Sequence, residues 1–307
     1  MWSSTCIAGH FVSADNMVGA DLFRQELTMA TTGALKTEKV TETVGAEVLD
    51  VDVDRLLNDE EVPEAIVETL EENGALLFRG LHIDDEAQVA FCRKLGDLVT
   101  MLSNEVPEIM VINLDAGGSH GEYFRGNVHW HIDGTMDQSA PPKTTVLSAH
   151  KVSPVGGETE FASSYAAYDA LSDEEKERFS ELWVHCSTEA IMRPVFDNPT
   201  SEQLARWQSS GGVDHPLVWT HDSGRRSLLI GAMADYILGM DFEEGRALLS
   251  DLVARATTPD RVFEHTWTVG DMVMWDNTGV LHRAMPYDPA SGRSMHRCTV
   301  VGTESIA

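Results

Sequence analysis

The 307-residue sequence predicts a mainly β fold with helices, a sandwich or barrel-like core in one domain. Three observations predict it. Short strand-like runs dominate after residue 108. Helical patterns are inserted singly between those runs. No repeat and no low-complexity linker divides the chain. Residues 1–36 show no periodicity and read as a loosely ordered N-terminal extension, leaving 37–307 as the domain.

The elements follow in order. "VGAEVLDVDV" (44–53) alternates apolar and polar residues, as a half-buried strand does. "DEEVPEAIVETLEEN" reads as an acidic helix stopped at Gly74, and "ALLFRG" as a buried strand. "DDEAQVAFCRKLGDL" is a helix started by Asp84 or Asp85 and stopped by Gly96. "EIMVINL", "HWHID" and "TTVLSAHKV" are strand-like. "SSYAAYDAL" and "SDEEKERFSEL" are helical, the second with Ser172 and Glu175 at capping-box spacing. Residues 190–214 form a long excursion with few core signals. A hairpin turns at Asp222-Ser223-Gly224, "DFEEGRALLSDLVARAT" is an amphipathic helix, and the remainder is strand-rich.

A net charge of −28 argues against nucleic acid and anionic membranes as partners. No apolar run reaches the ~18 residues of a membrane helix, and the N-terminus lacks a secretory pattern. Cys6, Cys92, Cys186 and Cys298 are scattered and read as reduced thiols in a cytoplasmic protein.

Chemistry concentrates in "GNVHWHIDGT", 126–135. On a strand, His129, His131 and Asp133 would share one face. Spacing alone leaves two pairs open: His129 with His131, or His131 with Asp133. The former normally needs a glutamate a few residues on, where this chain has Thr135 and Met136. The latter supplies nitrogen and oxygen ligands and needs a third from elsewhere. Two histidines and one carboxylate suit a non-haem Fe(II) centre with open positions. His282 precedes a turn-rich loop, and on the next strand Arg293, Met295 and Arg297 share a face opposite Ser294, His296 and Cys298. Two arginines on one strand face need anions or solvent, and an arginine fork suits a carboxylate.

Taken together and in order, "WHID", "GGETEF", "WDN" before His282, and "RSMHR" resemble the TauD/TfdA family of Fe(II)- and 2-oxoglutarate-dependent dioxygenases. The resemblance runs from about residue 37 to the C-terminus. It implies a double-stranded β-helix (jelly roll) flanked by α-helices. It implies Fe(II) held by His131, Asp133 and His282, with Thr159 and Arg293 binding 2-oxoglutarate. O2 is the other cosubstrate, succinate and carbon dioxide the co-products. Arg297 matches an arginine that reaches the substrate's anionic group, and Asn127 a substrate-side asparagine. Asp133 favours hydroxylation over halogenation. Desaturation, cyclisation or C–O/C–S cleavage, as in a natural-product oxygenase, is the alternative outcome. A non-catalytic jelly-roll binding protein is the reading from a different class. The family also implies a homo-oligomer, dimer or tetramer.

The substrate side departs from the taurine enzymes. The loop "VTMLSNEVPEI" lacks their histidine and tyrosine and offers Met101 and Leu102 instead. A more hydrophobic small molecule is therefore expected, covered by a lid of Tyr123, Phe124 and Arg125. His129 reads as a neighbour of the metal. His150, His215, His221 and His296 read as hydrogen-bonded structural histidines, and Trp130 and Trp275 as core packing.

Overall fold

The computed structural model describes residues 35–101, 105–114, 124–136, 140–209 and 211–306. Tyr123, Leu102 and nearly all of the N-terminal extension lie outside the described residues.

In chain order the strands are β1 (Thr37–Lys39), β2 (Ala46–Val48), β3 (Ala75–Phe78), β4 (Met110–Ile112), β5 (Thr144–Lys151) and β6 (Thr159–Ser163). After them come β7 (Trp183–Cys186), β8 (Val213–Pro216), β9 (Val218–Thr220), β10 (Arg226–Leu228) and β11 (Ala234–Ile237). The last four are β12 (Val262–His265), β13 (Met272–Asp276), β14 (Val280–Ala284) and β15 (Ser294–Val300). The helices are α1 (Val53–Asn58), α2 (Val62–Asn73), α3 (Asp85–Leu95), α4 (Ser164–Asp169), α5 (Asp173–Ser180), α6 (Thr188–Met192), α7 (Ser201–Trp207) and α8 (Phe242–Ala256).

The main sheet has the order β1-β2-β3-β13-β5-β15-β4, and a second sheet the order β12-β6-β14. Two small sheets, β11-β7-β8 and β10-β9, complete the strands. Strand alternation separates two cores. Leu77, Leu147, Val273, Trp275 and Met295 from the main sheet pack with Phe161, Phe263 and Val280 from the second. The intervening residues of the same strands, Leu76, Val146, Met272, Met274 and Cys298, pack against the apolar stripes of α1, α2 and α3. Each such side chain contributes about 1.5–3 kcal/mol on burial. The outer side of the second sheet is covered by α4, α5, α8 and the small sheets, around the fully buried Trp219.

Several boundaries differ from expectation. The first alternating run pairs only over Ala46–Val48, because Asp52 accepts a hydrogen bond from the Arg55 amide and starts α1. "HWHID" is not a strand. A short 3-10 turn spans Gly126–Val128, and His131 makes one isolated antiparallel bridge with His282. The chain turns directly after Asp133, where Gly134 adopts φ +79° against Pro141 and Pro142. Residues 190–214 carry α7 with a capping box of Thr200 and Gln203, and their Ile191, Met192 and Trp207 are buried with Met233.

Candidate metal centre

The bridge between residues 131 and 282 is made of two backbone hydrogen bonds, 3.0 and 2.9 Å. It sets the two imidazoles side by side, with centroids 4.2 Å apart. The turn after Ile132 brings Asp133 round to them: its Oδ1 lies 3.8 Å from Nε2 of both His131 and His282. All three are buried, and one donor atom from each lies within 4.8 Å of the others. The convergence expected on a strand face is therefore achieved by a bridge and a turn.

Each side chain is held from behind. The His131 Nδ1 lies 2.8 Å from the carbonyl of His129. His129 thus acts through its backbone, and its ring stands outside the cluster. The Thr145 hydroxyl donates to Asp133 Oδ2 at 3.3 Å and accepts from Asn277 Nδ2 at 2.9 Å. The Arg297 Nη1 lies 3.5 Å from Asp133 Oδ2, and its Nε donates to Thr299. Trp275 packs its ring 4.7 Å from that of His282.

The electrostatics favour ligand-ready protonation. Burial pushes His131 below its ordinary value, and burial with the neighbouring His131 pushes His282 down to about 3. For Asp133 burial acts upward, but Arg297, the two histidines and Thr145 outweigh it and bring the carboxyl to about 2. Two neutral imidazoles and an ionised carboxylate are what a divalent ion needs. The buried His282 Nδ1 has no hydrogen-bond partner.

Arg293 lies buried just before β15, with Nη2 donating to the carbonyl of Gly157 at 3.0 Å and its guanidinium 4.8 Å over the Tyr287 ring. Among the described residues no carboxylate lies within 4 Å of it, and Glu158 acts on its charge from farther off. Gly157 has φ +82°, and a Cβ there would meet Arg293 Nε at 3.0 Å. Thr159 opens β6 two residues on, buried, accepting from Trp267 Nε1 at 2.9 Å. Trp267, Gly157 and Arg293 wall one small cavity of about 70 Å3.

The substrate-side candidates fall on two segments. Phe124 is buried and Asn127 half-buried on the segment leading into His131. Gly126 between them packs against Ile191 and Met192 of α6. Met101 is half-buried two residues beyond Val99, whose amide donates to the Thr299 carbonyl. Sequence reasoning missed Thr145, Asn277, Gly157 and Trp267 as supports. Asn277 stood inside the quoted "WDN"; Trp267 left no signal, because only the sheet pairing brings it to Thr159.

The profile of the Taurine catabolism dioxygenase TauD, TfdA family matches residues 36–299. The chain is 34% identical over 275 residues to the alpha-ketoglutarate-dependent 2,4-dichlorophenoxyacetate dioxygenase of Cupriavidus pinatubonensis, covering 83% of this chain and 94% of that protein. It is 34% identical over 240 residues to the (S)-phenoxypropionate/alpha-ketoglutarate-dioxygenase of Sphingobium herbicidovorans, covering 75% and 83%. The crystal structure of AAD-2 with Mn(II) and N-oxalylglycine superposes with a TM-score of 0.75 at 32% identity, covering 89% of this chain and 100% of that one.

Proposed function

The chain belongs to the TauD/TfdA family of 2-oxoglutarate-dependent dioxygenases, and from that membership we propose that it hydroxylates a small, hydrophobic organic acid at Fe(II) held by His131, Asp133 and His282. It is an oxidoreductase using Fe(II), 2-oxoglutarate and O2. When bound, the iron with 2-oxoglutarate and O2 supplies the oxidising power for a C–H bond, with succinate and carbon dioxide as co-products. The observation that carries the ligand assignment is the meeting of those three donors within 4.8 Å. The donor set fits: two neutral nitrogens and one anionic oxygen leave positions open, whereas a closed structural Zn site would use four ligands. None of the described cysteines belongs to the cluster.

The chain's own residues bind, orient and shield. Thr145 and Asn277 hold the Asp133 carboxylate in place. Arg293, buried with no carboxylate within 4 Å among the described residues, is suited to grip the far carboxylate of 2-oxoglutarate, with Thr159 beside it through Trp267. Arg297 presents a guanidinium next to Asp133 and serves the substrate's anionic group. Asn127, Phe124 and Met101 form the substrate's nearer walls. The apolar cluster of Ile191, Met192, Trp207 and Met233, with Met136 packed against it, supports a hydrophobic body for that substrate. The phenoxy acids in the names of the relatives above are of this chemical kind.

We read the two facing sheets as a double-stranded β-helix, a reading supported by the shared core between them. Three unpaired cysteines among the described residues fit a reducing cytoplasm, and no helix among those residues is long and apolar enough to cross a membrane. Exposed Trp183 and Leu238, joined by the Leu238 amide on the Trp183 carbonyl, and exposed Phe242 support a homo-oligomer. The test is succinate release with aryloxyalkanoic acids, alkyl sulfates and taurine, after anaerobic Fe(II) and 2-oxoglutarate addition has given the family's weak visible band. Aryloxy acids should give the fastest release; no band from folded protein overturns the iron assignment, and taurine as the best substrate overturns the substrate class.

A further inference from the structure

A second meeting of two histidines and a carboxylate lies on the opposite face of the main sheet. Asp85 opens α3, His150 is near the end of β5, and His296 lies on β15. Val146 of β5 and Cys298 of β15 face α3, and His150 and His296 share their parity. The register slips here: Ser294 pairs with Lys151 and Met295 with Ala149. His150 is therefore the extra residue of a β-bulge, a device that re-aims a side chain. Here it lays the His150 ring on that of His296, centroids 3.6 Å apart and 11° from parallel. The Asp85 Oδ1 lies 2.6 Å from His296 Nδ1 and 3.7 Å from His150 Nε2. That His150 nitrogen is buried and has no hydrogen-bond partner. One donor atom from each of the three lies within 4.8 Å of the others.

Two stacked imidazoles do not readily carry two charges. Burial and the neighbouring His296 push His150 below its ordinary value, so its ring offers a lone pair rather than a proton. We propose that Asp85, His150 and His296 form a second divalent-cation site, chemically suited to Zn(II). Two imidazoles and one carboxylate match zinc's borderline preference, with water completing the shell. Supports of the kind that orient metal ligands are in place. The Ser294 hydroxyl lies 3.3 Å from the other nitrogen of His296, and Gln88, one turn along α3, donates to the His296 carbonyl at 3.1 Å. Ser148 in turn donates to Gln88 Oε1. An ion must lie in both ring planes, so binding opens the stack by rotation of His150. Occupancy ties α3 to β5 and to β15, the strand whose inner face carries Arg297.

The test is Zn(II) stoichiometry after equilibrium dialysis, read by elemental analysis, with thermal melting alongside. With the first centre disabled by Asp133→Ala and His282→Ala together, the protein should retain one Zn(II) per chain and melt higher with zinc than without. Adding His150→Gln should weaken that binding about tenfold or more. In the otherwise unaltered protein, which keeps the test open should the disabled variant fail to fold, zinc in excess should give two equivalents, falling to one with His150→Gln or Asp85→Asn. A zinc count that neither His150→Gln nor Asp85→Asn lowers, with both variants folded, overturns the proposal and leaves the trio a hydrogen-bonded cluster.

Discussion

At the scale of single residues, the centre depends on short side chains set behind its ligands. Thr145 fixes one Asp133 oxygen while leaving the other toward His131 and His282. Thr145→Val keeps the volume and removes that hydrogen bond. We expect Fe(II) affinity to fall about 10–100-fold, measured by metal titration, with the fold intact. Gly157→Ala would force a methyl group onto Arg293 at a backbone angle that L-residues rarely adopt. Its signature should be a raised KM for 2-oxoglutarate with a smaller change in kcat; an unchanged KM would dissociate Arg293 from the cosubstrate. Asp133 and His282 were legible as candidates because their residue types carry their chemistry. Thr145 and Trp267 were not, since a threonine on a strand and a tryptophan in a core look the same with or without a ligand beside them.

Individual elements are held by local chemistry that sequence spacing does reveal. The capping box of α5 forms as its spacing predicts, with Ser172 accepting from the Glu175 amide and Glu175 accepting from the Ser172 amide. The same Glu175 also meets Arg255 of α8 at 2.7 Å, a long-range contact with no sequence signal. Arg255 first, then the Ser172 amide, lowers the Glu175 carboxyl to about 2. A carboxyl depressed by folding stabilises above its unfolded pKa, about 4.3, and that contribution fades as pH falls through about 2. Glu175→Gln should therefore cost about 1 kcal/mol at pH 7, since the pair is partly exposed, and little near pH 2. Urea melts at both pH values check it; an equal loss at both would place the effect in packing instead. Helix α1 escaped sequence reading because it is short and begins at Val53, the last residue of a run read as a strand.

For the whole molecule, the layered β core with helices outside was legible from the density of short apolar runs. The order of strands in the main sheet was not, because β13 lies between β3 and β5 by contacts remote in sequence. Ligands that bind only the folded chain raise its stability by mass action. Mn(II) with 2-oxoglutarate, each at about 100 times its Kd, should add roughly 2.7 kcal/mol or more and raise Tm by several degrees. Asp133→Ala should abolish that rise in a thermal scan. The bridge between His131 and His282 adds a kinetic corollary. Those two backbone hydrogen bonds already span the long chain segment between residues 131 and 282. Because backbone joins the two histidines, we expect the ion to exchange on a folded chain, unlike the ion of a zinc finger, without which the chain does not fold. A chelator should empty the centre and fresh metal refill it many times over, with the far-UV spectrum unmoved throughout the cycle.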